Sequence, residues 1–174
     1  MNVIGALALL LAVVMPASAE TIGKWTVEPS GQGALVAGTR NDSGNVIGYM
    51  CLENGNCAWL LTVEMQCKED SQQPVMANSD AGAQPLTIHC MGPAGIGSFY
   101  NYMFVDFESV DAMIKGASGI GFAMPHAKDE FQVVRFDLSG ARLAIDRLHQ
   151  RSEAQARSKS NPSSAGRGGK DSRL

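Results

Sequence analysis

The chain has 174 residues, 45% of them hydrophobic, and 14 basic against 17 acidic side chains give it a net charge of −3. That length supports one domain with a real core. The charge is uneven: residues 20–148 hold 8 basic and 15 acidic side chains, residues 149–174 hold 6 and 2, and an acidic body lacks the clustered Lys and Arg that nucleic-acid binding requires.

The first element is a targeting segment. An apolar run from Val3 to Val14 is followed by Met15-Pro16 and then Ala17-Ser18-Ala19 before Glu20. A short apolar region ending in a small-residue A-x-A site is the pattern of a secretory signal peptide, here residues 1–19. The run is too short to span a bilayer, which needs about 18 or more apolar residues. Its amino-terminal flank carries no Lys or Arg, a departure from the usual pattern, and Glu20 stands where a lipid-anchored protein would have Cys. The expected location is therefore the periplasm or the exterior, with no membrane span.

Residues 20–150 read as a β-rich globular domain. Trp25 to Val27 and Ala34 to Thr39 are short strand candidates, followed by the turn cluster Asn41-Asp42-Ser43-Gly44-Asn45. Val46 to Leu52 and Cys57 to Met65 read as a hairpin. Pro74 to Ala77, Pro85 to Met91, Phe99 to Val105, Gly119 to Met124 and Phe131 to Leu138 follow, separated by Gly, Pro, Asn and Asp. This spacing predicts an antiparallel β-sandwich or barrel-like sheet rather than βαβ units. Two short helices interrupt it. Val110, Met113 and Ile114 have helical spacing, with Gly116 as a stop. Ala141, Ala144, Ile145 and Leu148 form an i, i+3, i+4, i+7 stripe, with Ser139 placed to cap it. Residues 151–174 are assigned to a basic tail rich in Ser, Gly and Arg. Its first part could continue the helix through Arg157, while Ser158 to Leu174 has too little apolar surface to offset ordering entropy.

Four cysteines, Cys51, Cys57, Cys67 and Cys90, all follow the signal segment. An even count in an exported chain reads as two disulfides. The gaps of five, nine and twenty-two residues do not fit the close C-x₂₋₄-C pairs of zinc sites. The hairpin chooses the pairing. With a three-residue loop Glu53-Asn54-Gly55, and Gly55 in the left-handed position of a bulge, Cys51 lies directly across from Cys57. Cys67 and Cys90 then form the second bridge.

Catalytic signals are sparse. There is no G-x-S-x-G, no H-E-x-x-H and no phosphate-binding loop ending in Lys-Ser or Lys-Thr. Gly92 to Ser98 is glycine-rich but contains Pro93 and reads as a plain loop. Asp106, Glu108 and Asp111 cluster where a helix begins, which suits the helix dipole better than acid–base chemistry. Tyr100, Tyr102 and Phe104 share one face of a strand, either as a binding surface or as core. His89, Met91, Met124 and His126 set thioethers beside imidazoles, a weak copper alternative. No cofactor is expected.

The opening Gly23-Lys24-Trp25-Thr26-Val27, the cysteine pairs, and the ending from Phe136-Asp137-Leu138-Ser139-Gly140 into Ala141 to Leu148 resemble the invasion-associated locus B family of exported bacterial proteins. Glu28-Pro29 follows the opening where family members often carry a cysteine. The resemblance implies a β-rich bacterial envelope protein related to host interaction, with no catalytic motif carried over. The leading expectation is a non-enzymatic binding or structural module with an envelope-component partner. A small enzyme or inhibitor with a loop-borne site, and a periplasmic copper-binding protein, are the alternatives. The sequence sets no oligomeric state.

Overall fold

The computed structural model describes residues 19–126 and 130–160. Residues 1–18, which hold most of the expected signal segment, and residues 161–174 of the expected tail lie outside the described residues. Among the described residues, ten strands run in chain order: β1 (Glu20–Ile22), β2 (Trp25–Pro29), β3 (Leu35–Arg40), β4 (Val46–Cys51), β5 (Cys57–Val63), β6 (Gln72–Ser79), β7 (Gly82–Pro93), β8 (Tyr100–Phe104), β9 (Gly119–Pro125) and β10 (Phe131–Asp137). Helix α1 (Phe107–Gly116) separates β8 from β9, and α2 (Ala141–Ser160) closes the described chain.

Every neighbouring pair is antiparallel, and all ten strands join one sheet in the order β1-β2-β3-β4-β5-β8-β7-β6-β9-β10. The mainly antiparallel β expectation holds, as one ten-stranded sheet accompanied by two helices. Period-two alternation sends Trp25, Val27, Leu35, Ala37, Ile47, Tyr49, Trp59 and Leu61 to one face, which is buried. The two ends of the sheet are tied together across that core. Lys24 N–H donates to the Ser139 carbonyl at 2.8 Å, and the Asn41 amide donates to the Arg135 carbonyl at 3.1 Å.

Two glycines make the first tie. Gly23 and Gly140 both have positive φ, +61° and +94°. A Cβ on Gly140 would lie 2.1 Å from the Ile22 carbonyl oxygen, and one on Gly23 would lie 2.4 Å from that of Ser139. Only glycine permits both the left-handed backbone and this approach. The Gly140 carbonyl accepts the first helical bond from Ala144, so Gly140 rather than Ser139 holds the N-cap position. The Ser139 N–H instead donates to the Asp137 carboxylate at 2.8 Å.

From there α2 lays Ala141, Ala144, Ile145 and Leu148 into the core, as the stripe predicts. It also runs on to Ser160, three residues beyond the continuation through Arg157 that the sequence allowed. The extension is anchored by tertiary contacts: Arg151 donates to the Val27 carbonyl at 3.2 Å, and Lys159 pairs with Glu53 at 2.6 Å. Among the described residues no helix is long and apolar enough to cross a membrane.

Both disulfides form as expected, Cys51–Cys57 and Cys67–Cys90. Cys51 pairs with Cys57 across the ladder. Leu52 N–H bonds the Asn56 carbonyl at 2.8 Å, Gly55 N–H bonds the Leu52 carbonyl at 3.0 Å, and Gly55 has φ +86°. That is the three-residue loop with its left-handed glycine.

Candidate functional site

The residues singled out in the sequence occupy different places in the fold. Tyr100, Tyr102 and Phe104 do share a face, but it is the inner one. Tyr102 is fully buried, Phe104 is 3% exposed, and Tyr100 packs against the core. The Tyr102 hydroxyl donates to the Met65 carbonyl at 2.8 Å. Burial, with Tyr100 beside it, pushes the phenol up to about 12. This stretch is therefore core and not a binding surface, because β8 lies mid-sheet between β5 and β7 and must bury one face.

The copper alternative fails on sheet geometry. His89 and Met91 alternate with buried Ile88 and Cys90 and so face outward on β7, whereas Met124 on β9 is fully buried on the inner face. His126 is exposed beyond the end of β9. The four side chains are not brought together. Among the described residues, no group of three or more His, Cys, Asp or Glu gathers as for a metal.

The acidic cluster also separates. Asp106 accepts a hydrogen bond from the Thr87 N–H at 2.6 Å and so ties the helix entry to β7. Asp111 accepts from the Trp59 indole at 3.3 Å and pairs with Lys115 at 2.8 Å. Glu108 alone stands in the first turn of α1. Around Trp59, Tyr49 packs at 4.9 Å between ring centroids, with Phe107 at 5.9 Å and His149 at 5.4 Å from Tyr49. Burial, then Asp111 and Glu108, raise the Tyr49 phenol above its usual range. This cluster fastens both helices to β4 and β5.

The outer side of β6, β9 and β10 holds the feature that sequence reasoning missed. A shallow open trough of about 600 Å³ runs across these strands, with Gly119, Gly121 and Ala123 as its floor. Met76 and Asn78 on β6 form one wall, Val133 and Arg135 on β10 the other, and Asp80 lies at its end. The trough exists because β9 alternates small outward residues with large inward ones, Ile120, Phe122 and Met124. The ladder aligns Met76, Ala123 and Val133 in one row and Asn78, Gly121 and Arg135 in the next.

The first row is apolar and open to solvent. Met76 is 47% exposed and Val133 46%, and Phe131, two residues along β10, is 68% exposed. Outward strand positions facing water are ordinarily polar, so a grouped apolar row on an outer face marks a contact surface more than scattered exposure would. At the far end, the Ser118 N–H and hydroxyl each reach the Asp80 carboxylate at 2.7 Å. These bonds hold its pKa below the usual carboxylate range. The trough thus offers an apolar row, an amide, a guanidinium and a fixed carboxylate. Such a surface suits binding of an extended polar–apolar chain. The one sequence signal for it was the small-residue alternation Gly119-x-Gly121-x-Ala123, which means nothing until its neighbours on β6 and β10 are known.

No protein-family model and no curated protein matches the chain. Among solved structures, that of invasion associated protein b from Bartonella henselae matches over 79% of this chain and 99% of that chain, at 18% sequence identity and a TM-score of 0.57. The resemblance read from the sequence therefore holds in three dimensions: this chain shares the fold of that invasion-associated protein.

Proposed function

We propose that this chain is an exported bacterial envelope protein that acts by binding, through the outer face of β6, β9 and β10, rather than by catalysis. The observation that carries the reading is the solvent-facing row Met76, Ala123 and Val133 with Phe131 beside it. Two disulfides suit an oxidising compartment, in keeping with removal of residues 1–19 on export. The shared fold with an invasion-associated protein supports a partner in the envelope or at the host boundary.

The test places a photo-crosslinking residue at Val133 in the exported chain and, as control, at Val36 on β3. Discrete adducts from position 133 in intact cells, absent at position 36, are the expected result. Equal labelling from both positions, or none from either, overturns the binding face. Mass spectrometry of the recovered protein should also show a chain beginning at Glu20. A chain that keeps residues 1–19 overturns the export part of the reading.

A further inference from the structure

A sheet has two edges, and this one treats them differently. At one end β1 has only three residues, and it lies under α2, with Arg147 bonding Glu20 at 3.0 Å. Short, covered edges resist pairing with other chains. At the other end β10 has seven residues and, among the described residues, pairs with β9 alone. The direction of its free backbone groups follows from the hairpin. The His126 N–H donates to the Glu130 carbonyl at 2.7 Å, so that pair is hydrogen-bonded and the next, Pro125 with Phe131, is not.

Continuing the alternation, Phe131, Val133 and Arg135 point their N–H and C=O groups away from β9. Two observations agree with this. Pro125 has no N–H to offer Phe131, and the Arg135 carbonyl accepts from the Asn41 amide on the side away from β9. Asn41 therefore closes the edge at Arg135 and leaves it open at Phe131 and Val133. The side chains of these two residues are also large exposed apolar groups, where edge strands ordinarily carry Lys or Pro.

We infer that β10 pairs antiparallel with β10 of a second copy of this chain, about a twofold axis at Gln132. This goes beyond the binding-face reading, since it concerns the outward backbone groups of the strand edge, although the Val133 side chain also walls the trough. In this register Phe131 lies opposite Val133 of the second copy and Val133 opposite its Phe131. Both are hydrogen-bonded pairs, so the four outward N–H and C=O pairings are all satisfied. The two aromatic–β-branched pairs fall on the same outer face, a favourable cross-strand combination. A shift of the axis to Val133 would set Phe131 against Arg135 and displace Asn41, which selects Gln132 as the centre. An edge that complements itself under twofold rotation specifies its own copy. Residues 161–174 are mostly Ser, Gly, Arg and Lys, a composition that offers Phe131 and Val133 no apolar strand partner. The interface is short, below the roughly 1,200 Å² of stable complexes, so the dimer is weak and reversible.

The axis supplies a sharp test. Gln132 meets Gln132 at a pair without hydrogen bonds, the same ladder position that Cys51 and Cys57 occupy with their Cα atoms 4.1 Å apart. The exported full chain carrying Gln132→Cys should form a disulfide-linked dimer on a non-reducing gel, while Val36→Cys should not. Sedimentation of the unsubstituted chain should show a concentration-dependent monomer–dimer equilibrium. Val133→Pro removes one outward N–H without touching the β9 ladder, and edge strands tolerate Pro there. It should abolish the dimer while circular dichroism and the melting temperature stay close to the parent. Val133→Lys is the second variant should the proline disturb folding. A chain that stays monomeric at the highest concentration reached overturns the proposal, even if position 133 crosslinks another envelope component. A dimer that survives both Val133 substitutions, or one that Gln132→Cys fails to trap, overturns it too.

Discussion

Replacing Gly140 with alanine should be among the most damaging single changes available to this fold. Gly140 holds φ +94°, and a left-handed backbone costs a non-glycine residue roughly 1–2 kcal/mol. The new Cβ would also sit 2.1 Å from the Ile22 carbonyl oxygen, far inside the roughly 3.5 Å of an ordinary contact. That oxygen belongs to backbone in β1 and cannot rotate away as a side chain could. Relief requires the start of α2 to retreat from β1 by more than an ångström, which breaks the 2.8 Å bond from Lys24 to Ser139. A lost hydrogen bond of this kind costs about 1 kcal/mol. Partial withdrawal of Ala141, Ala144 and Ile145 from the core adds roughly another 1–2 kcal/mol. The total is roughly 3–5 kcal/mol, or a melting temperature lower by roughly 9–15 °C in a domain of this size. Gly55→Ala is the internal control. Its φ is +86°, but a Cβ there meets nothing within 4 Å, so only the backbone strain of about 1 kcal/mol remains. Thermal unfolding followed by circular dichroism, with the disulfides intact, measures both. If Gly140→Ala melts no lower than Gly55→Ala, the steric argument for the α2 anchor is wrong.

Two further outcomes are open to direct measurement. The disulfides should differ in worth, because the loop closed by Cys67–Cys90, with a sequence separation of 23, is longer than that of Cys51–Cys57, with 6. Loop entropy predicts about 3 kcal/mol lost from the double alanine variant of the longer bridge and about 2 from the shorter; urea titration at neutral pH compares them, and a costlier short bridge refutes the ordering. Tyr102 should govern an alkaline transition. Its phenol is raised in the folded chain to about 12 from 10.0, so the folded state retains the proton longer than the unfolded state. The stability it confers is complete below pH 10 and is lost as pH rises through the interval to about 12. Tyr102→Phe should flatten that alkaline fall. At neutral pH it should cost about 1–3 kcal/mol, by leaving the buried Met65 carbonyl without its donor. An unchanged alkaline slope places the titration elsewhere.

Much of the fold was legible because strand alternation and turn chemistry are local. The face shared by Tyr100, Tyr102 and Phe104 was correct, as was the Glu53-Asn54-Gly55 loop that sets Cys51 against Cys57. Whether the tyrosine face met core or solvent was not local. It depended on β8 lying between β5 and β7, which alternation within one strand does not reveal. How far α2 would run was not local either. Nothing in residues 151–160 favours burial, but Arg151 and Lys159 find Val27 and Glu53, contacts over a hundred residues away in sequence.

The amino-acid sequence by itself determined the antiparallel β class, the two cysteine pairings and the stripe that α2 buries. Each rests on a short-range rule of residue type, spacing or turn geometry. Tertiary structure alone decided the order of the strands, the back-to-back approach of Gly23 and Gly140, and the trough over Gly119, Gly121 and Ala123. It also left one sheet edge covered and the other exposed at Phe131 and Val133. Those features are relations between segments far apart in the chain. They arise only when the sheet curls around its core and brings its ends together.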